Sequence, residues 1–119
     1  MKRVAGIGGI FFTADDPKAL NDWYVKHLGV PMTDYGAMFE DGGPTIWSTF
    51  EKRTPYFGPQ NKEFMINYRV DDLDTLLETL RAEGVWIDER RQDESYGRFA
   101  WIADPEGNRI ELWEPAKAE

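Results

Sequence analysis

The chain contains no cysteine, which excludes a disulfide framework, a thiolate nucleophile and a thiolate metal site in one step. Imidazole is almost as scarce. His27 is the single histidine and falls in the last turn of a predicted helix, where a helix-end or surface role is expected because no partner lies at metal-ligand spacing. Basic side chains are the minority, 14 Lys and Arg against 22 Asp and Glu, and the resulting net charge of −8 repels phosphate backbones. No nucleic-acid partner is expected. No apolar run is long enough to span a bilayer, and Met1-Lys2-Arg3-Val4 leads into a glycine-rich strand with no signal-peptide hydrophobic region. No membrane partner and a cytoplasmic location are therefore expected.

What the chain does have is a core. Hydrophobic residues make up 41% and aromatics 14% of 119 positions, enough to fold as one domain spanning residues 1–119 and too few for two independent ones.

Gly6-Ile7-Gly8-Gly9-Ile10-Phe11-Phe12-Thr13 reads as a strand. Its glycines precede the apolar residues and do not sit between strand and helix, so a dinucleotide loop is not indicated. Asp16-Pro17 opens a helix with an N-cap carboxylate and a proline at the first position; Leu20, Trp23, Tyr24 and Leu28 follow at helical spacing, and Gly29 ends it. Thr33 to Glu40 and Thr45 to Phe50 read as strands joined by a turn at Asp41-Gly42-Gly43-Pro44. Glu51 to Lys62, polar and broken by two prolines, reads as a linker at the middle of the chain.

Beyond it the order repeats. Phe64 to Val70 is a strand, Asp72 an N-cap, Leu73, Leu76, Leu77 and Leu80 a helical stripe ending at Gly84, and three strands follow at Val85 to Gln92, Gly97 to Ala103 and Arg109 to Trp113. Superposing Asp16 on Asp72 places Leu20 on Leu76, Tyr24 on Leu80 and Gly9 on Met65. A strand-helix-strand-strand-strand unit is used twice, as module 1 (about residues 4–54) and module 2 (about 63–115).

The last strand carries the clearest site signal. Asp104-Pro105-Glu106-Gly107-Asn108 is turn chemistry, and beyond it Ile110 and Leu112 alternate with Arg109, Glu111 and Trp113. Glu111 therefore points away from the aliphatic side. By the same alternation Met65, Asn67 and Arg69 share one face opposite Ile66, Tyr68 and Val70, Phe99 and Trp101 accompany Glu111, and Phe11 goes with Gly9.

Thr13-Ala14-Asp15-Asp16, Trp23-Tyr24-Val25-Lys26-His27-Leu28-Gly29, Tyr68-Arg69-Val70-Asp71-Asp72-Leu73-Asp74 and Asp104 to Leu112 together resemble the vicinal oxygen chelate superfamily of glyoxalases, extradiol dioxygenases and bleomycin-resistance proteins. The resemblance covers nearly the whole chain. It implies an α+β fold in which two βαβββ modules form an open curved sheet, a cup with helices on its outer face, usually in a homodimer. It also implies a divalent metal in enzymatic members, held by His or Gln on first strands and Glu on later ones. Here the last-strand position is Glu111, but the first-strand positions are Gly9 and Met65, and the fourth-strand position falls near Trp47 or Ser48. No cofactor is expected beyond a weak divalent metal on Glu111 and waters; Glu40 and Glu51 could be recruited from neighbouring strands for a tighter site.

The face thus offers Gly9, Phe11, Trp47, Met65, Asn67, Phe99, Trp101, Glu111 and Trp113 as candidate ligand-binding residues, an aromatic lining that suits an apolar, aromatic or cationic small molecule. Three readings follow. The first is a binder similar to the bleomycin-resistance proteins. The second is a glyoxalase- or lyase-type enzyme with Glu111 as catalytic base or metal ligand, aided by Tyr96, Arg98 or Arg109. The third is a non-catalytic dimer with its cup filled.

Overall fold

Two aspartates start the two helices, and they do it in the same way. In the computed structural model, which describes residues 10, 12, 14–34, 36–40, 42–43, 46, 49–60 and 62–116, α1 runs Pro17–Leu28 and α2 runs Leu73–Ala82. Asp16 accepts the backbone N–H of Ala19 at 3.1 Å; Asp72 accepts that of Thr75 at 3.1 Å and its hydroxyl at 2.9 Å. Each carboxylate thus satisfies an orphan donor of the first turn. Gly29 closes α1 in the left-handed conformation, its N–H reaching the Val25 carbonyl at 3.1 Å.

The first half continues into β1 (Met32–Thr33) and β2 (Gly36–Ala37), a short antiparallel pair. The strand expected across Thr33 to Glu40 is therefore broken. The Thr33 hydroxyl donates to the Gly36 carbonyl at 2.6 Å, and Gly36 takes φ +121°, a backbone that only glycine adopts easily, so a turn forms where extension was expected. Of the strand expected at Thr45 to Phe50, the described residues Ile46, Thr49 and Phe50 are not in regular structure. Most of the first strand, including Gly9 and Phe11, lies outside the described residues. So does Trp47.

The segment Glu51 to Lys62 is more than a linker. Thr54 caps a single 3₁₀ turn, Pro55–Phe57, by accepting the N–H of Tyr56 at 3.2 Å, and Phe50 stacks on Tyr56 at 5.4 Å between ring centroids. An aromatic knot results, and it leans on the second half.

That second half is one four-stranded sheet. Its strands are β3 (Ile66–Arg69), β4 (Ile87–Glu94), β5 (Gly97–Ala103) and β6 (Arg109–Pro115), in the spatial order β3-β6-β5-β4. The chain crosses from β3 through α2 to the far edge at β4, returns by two antiparallel pairings, and sets β6 parallel to β3. This is strand-helix-strand-strand-strand, as the repeat predicts. Ala100, Ile102, Ile110 and Leu112, each at most 1% exposed, pack beneath Leu73, Leu77 and Leu80 of α2, and Leu20, Tyr24 and Val30 join the same cluster. Both helices share one core.

Two polar joints fasten α1 to the β5–β6 turn. Tyr24 donates its hydroxyl to buried Asp104 at 2.8 Å, and the Glu106 carboxylate accepts the backbone N–H groups of Asp15 and Asp16 at 2.8 and 3.0 Å. At the other end of the helices, His27 Nδ1 lies 2.9 Å from Glu83 Oε1, joining the C-terminal turn of α1 to the end of α2. The single histidine is a helix-end residue. No helix among the described residues is long and apolar enough to cross a membrane.

Candidate functional site

The sheet register decides which side chains meet on the face opposite α2. Asn67, Glu111 and Trp101 are cross-strand neighbours in one row, and Arg69, Trp113 and Phe99 form the next. Alternation along a strand sets both rows on the same face. Residues of this face border a wide hollow of about 2480 Å³ that also runs past Leu20, Tyr24 and Tyr68 on the helix side, far above the roughly 300–1000 Å³ of an enclosed ligand pocket. Met65, Asn67, Phe99, Glu111 and Trp113 all border it. Phe99 and Trp113 stand with rings parallel, 6.1 Å apart and 4° from coplanar orientation.

Glu111 is the buried polar centre of this face, 7% exposed. Asn67 Nδ2 donates to Oε1 at 2.7 Å, Trp101 Nε1 donates to Oε2 at 3.0 Å, and the Tyr56 hydroxyl donates to Oε2 as well. Both oxygens are engaged. Burial of a carboxylate is tolerable on those terms, because each of its donors is directed at it. Burial and the adjoining Glu111 carboxylate together push the Tyr56 phenol well above its ordinary range, so it stays protonated and keeps donating.

Trp101 holds the floor and does not border the hollow. It is 2% exposed, with Tyr56 edge-on at 5.8 Å and the guanidinium groups of Arg109 and Arg90 over its ring at 5.4 and 5.9 Å. Arg109 is held in turn by Asp88, at 2.8 Å. It shares the Glu111 face, as its odd position requires. Arg98 does not: its even position turns it to the helix side, where it pairs with Asp74 of α2 at 3.0 Å. Tyr96 sits at the rim against Phe99, 5.7 Å between centroids and largely exposed.

Gly97 shapes the aromatic row. A Cβ there would lie 2.8 Å from the Glu114 carbonyl and closer still to Trp113 Nε1, so the missing side chain is what lets the indole edge tuck against β5. That indole N–H is buried and has no hydrogen-bond partner.

A divalent metal does not fit the described residues. Glu111 has given both oxygens to protein donors, Met65 offers only a thioether, and no three His, Asp or Glu residues converge among the described positions. Glu51 borders the hollow and Glu40 does not. A hard cation would find Glu111 committed to protein donors, and Glu51 and Glu63 at the hollow's border do not converge with it into a set of three among the described residues.

Tyr56 is the member that sequence reasoning left out. Its signal was present in Thr54-Pro55-Tyr56-Phe57, a capping threonine and a helix-starting proline followed by two aromatics, inside an otherwise polar stretch.

A βαβββ sheet with helices on one face and aromatic rings toward a hollow on the other defines an open, cup-like α+β fold. A profile of the Glyoxalase/Bleomycin resistance protein/Dioxygenase superfamily matches residues 6–112, and the chain belongs to that superfamily. No curated protein matches it in sequence. Similar solved structures include TnmS3, an antibiotic binding protein from Streptomyces sp. CB03234, at 22% identity over 98% of this chain and 100% of that one, TM-score 0.64. Another is a glyoxylase/bleomycin resistance protein/dioxygenase domain from Frankia sp. EAN1pec, at 18% identity over 98% and 96%, TM-score 0.62. A third is lactoylglutathione lyase from Agrobacterium tumefaciens, at 19% identity over 95% and 96%, TM-score 0.62. At such identities the likeness is one of fold.

Proposed function

We propose that this chain binds an apolar or aromatic small molecule in the hollow above Phe99, Trp113 and Asn67, without a tightly held metal, as a cytoplasmic homodimer. The observation that carries the reading is the state of Glu111: three of the roughly four acceptor sites of this buried carboxylate are taken by Tyr56, Asn67 and Trp101, which leaves it little capacity to hold an ion or take a substrate proton. Aromatic rings beside it supply contact area instead, each stacking or cation–π contact contributing about 0.5–2 kcal/mol. The antibiotic-binding name of one structural relative fits this reading. Met38, Phe39 and Ile46, at 62, 53 and 71% exposure, border the same hollow, where a guest or a second copy would cover them.

The test is a thermal-shift screen of aromatic and cationic aromatic compounds, paired with metal analysis of the purified protein. Metal-free protein whose melting point rises with ligand supports the reading; a ligand at one hundred times its Kd stabilises by about 2.7 kcal/mol. Near-stoichiometric metal, or turnover lost in Glu111→Gln, would replace it with the lyase-type reading. Light scattering reads the dimer.

A further inference from the structure

Resting on that reading, the geometry points to Glu111 as a positioning residue that fixes the polarity of the handle in the hollow, so that the site selects ligands bearing an N–H or ammonium donor over ligands bearing only acceptors. A carboxylate only accepts, so the Asn67 carboxamide must turn Nδ2 toward it, as the 2.7 Å contact records, and the carbonyl Oδ1 is turned elsewhere. Asn67 is exposed and borders the hollow, and no described residue hydrogen-bonds to its Oδ1. That oxygen is an acceptor without a partner.

Tyr56 is fixed by the same rule. Its one hydroxyl hydrogen is spent on Glu111, so it has none for a guest. Of the groups tied to Glu111, the one that borders the hollow is therefore Asn67, which presents its carbonyl, backed by a buried negative charge, and only one residual N–H of the same amide. An acceptor-only guest meets like polarity there; a donor completes the network.

The inversion test follows from isostery. In Glu111→Gln the new amide keeps its oxygen toward Tyr56 and Trp101 and turns its NH₂ toward position 67. Asn67 must then flip, offering NH₂ to the hollow. The experiment titrates the full-length protein, followed by tryptophan fluorescence, with two probes of one shape: 2-naphthylmethylammonium and 2-naphthoate. Wild type is expected to favour the ammonium by about tenfold or more. Glu111→Gln should bring the ratio to parity or reverse it, Asn67→Leu should abolish it, and Asn67→Asp should keep the ammonium preference. A melting curve for each variant confirms folding, and Asn67→Leu carries the test if Glu111→Gln does not fold. Equal affinities in wild type, or a ratio unmoved in both Glu111→Gln and Asn67→Leu, would overturn the inference and leave the binding function standing. Absence of binding by either probe up to millimolar concentration would remove the function and the inference together.

Discussion

Asp104 and Glu111 sit seven positions apart in the hairpin that closes the sheet, are similarly buried at 5 and 7% exposure, and each accepts a hydrogen bond from a tyrosine of the first half of the chain. Their surroundings differ in one respect. Asp104 is satisfied by its own turn: the N–H groups of Glu106 and Asn108 at 2.9 and 3.0 Å, the Asn108 side chain at 2.8 Å, and then Tyr24. Both side chains that donate to it are themselves buried, Tyr24 at 6% and Asn108 at 7% exposure. Glu111 is satisfied by side chains from three separate segments, and one of them, Asn67, has its other end in the hollow. A buried carboxylate thus marks a site when what it orients is left open, and marks architecture when it is not.

The largest effect should come from removing the architectural member. Asp104→Ala leaves buried donors of the turn and Tyr24 unpaired and is expected to lower stability by about 3–5 kcal/mol in urea unfolding. A loss below about 1 kcal/mol would show that the turn holds itself without the carboxylate. Glu111→Gln can re-pair within the same volume and should cost less, about 1–2 kcal/mol, while changing ligand selectivity. The tyrosines sharpen the contrast: Tyr24→Phe should destabilise by about 1–1.5 kcal/mol and leave the donor-over-acceptor selectivity unchanged, whereas Tyr56→Phe should alter that selectivity and destabilise less, since Tyr56 is only partly buried. If the two variants behave alike, the distinction drawn above fails.

Alkaline pH tests the tyrosines together. Burial, reinforced by Asp104, raises Tyr24 strongly and pushes Tyr68 up to about 12, and burial with Glu111 raises Tyr56. A phenol whose folded pKa exceeds its unfolded value of about 10 contributes stability that is complete below that pH and is lost as pH climbs through the folded value. Unfolding free energy should therefore fall between about pH 10 and pH 12 and beyond. Absorbance of phenolate in the native protein should show these residues ionising late. The smallest effect is expected at the helix ends, where His27→Ala removes the Glu83 contact for about 0–1 kcal/mol.

Much of this was legible in the sequence because it is local or periodic. Asp16 and Asp72 announce their helices within three residues, and the period of two along Arg109 to Trp113 placed Glu111, Trp101 and Asn67 on one face before any coordinates. The turn that carries Tyr56 was legible in Thr54-Pro55, but its contact with Glu111 was not, since the partner lies 55 positions away and no spacing rule reaches that far. The same holds for Glu106, whose turn looks self-contained yet caps α1 some 90 positions earlier. The broken strand at Gly36 was a different failure: Asp34 and Gly36 carried turn chemistry inside a run read as extended.

The contact between His27 and Glu83 spans 56 positions, the same offset that superposes Asp16 on Asp72. In the repeat read from the sequence, the two residues occupy equivalent positions of the two halves, at the C-terminal ends of their helices. Two identical halves would confront a residue with its own copy there, imidazole against imidazole or acid against acid. Joining the halves in one polypeptide frees each to change alone, and an attractive pair of unlike groups is something that a strictly symmetric assembly has no means of forming at that point.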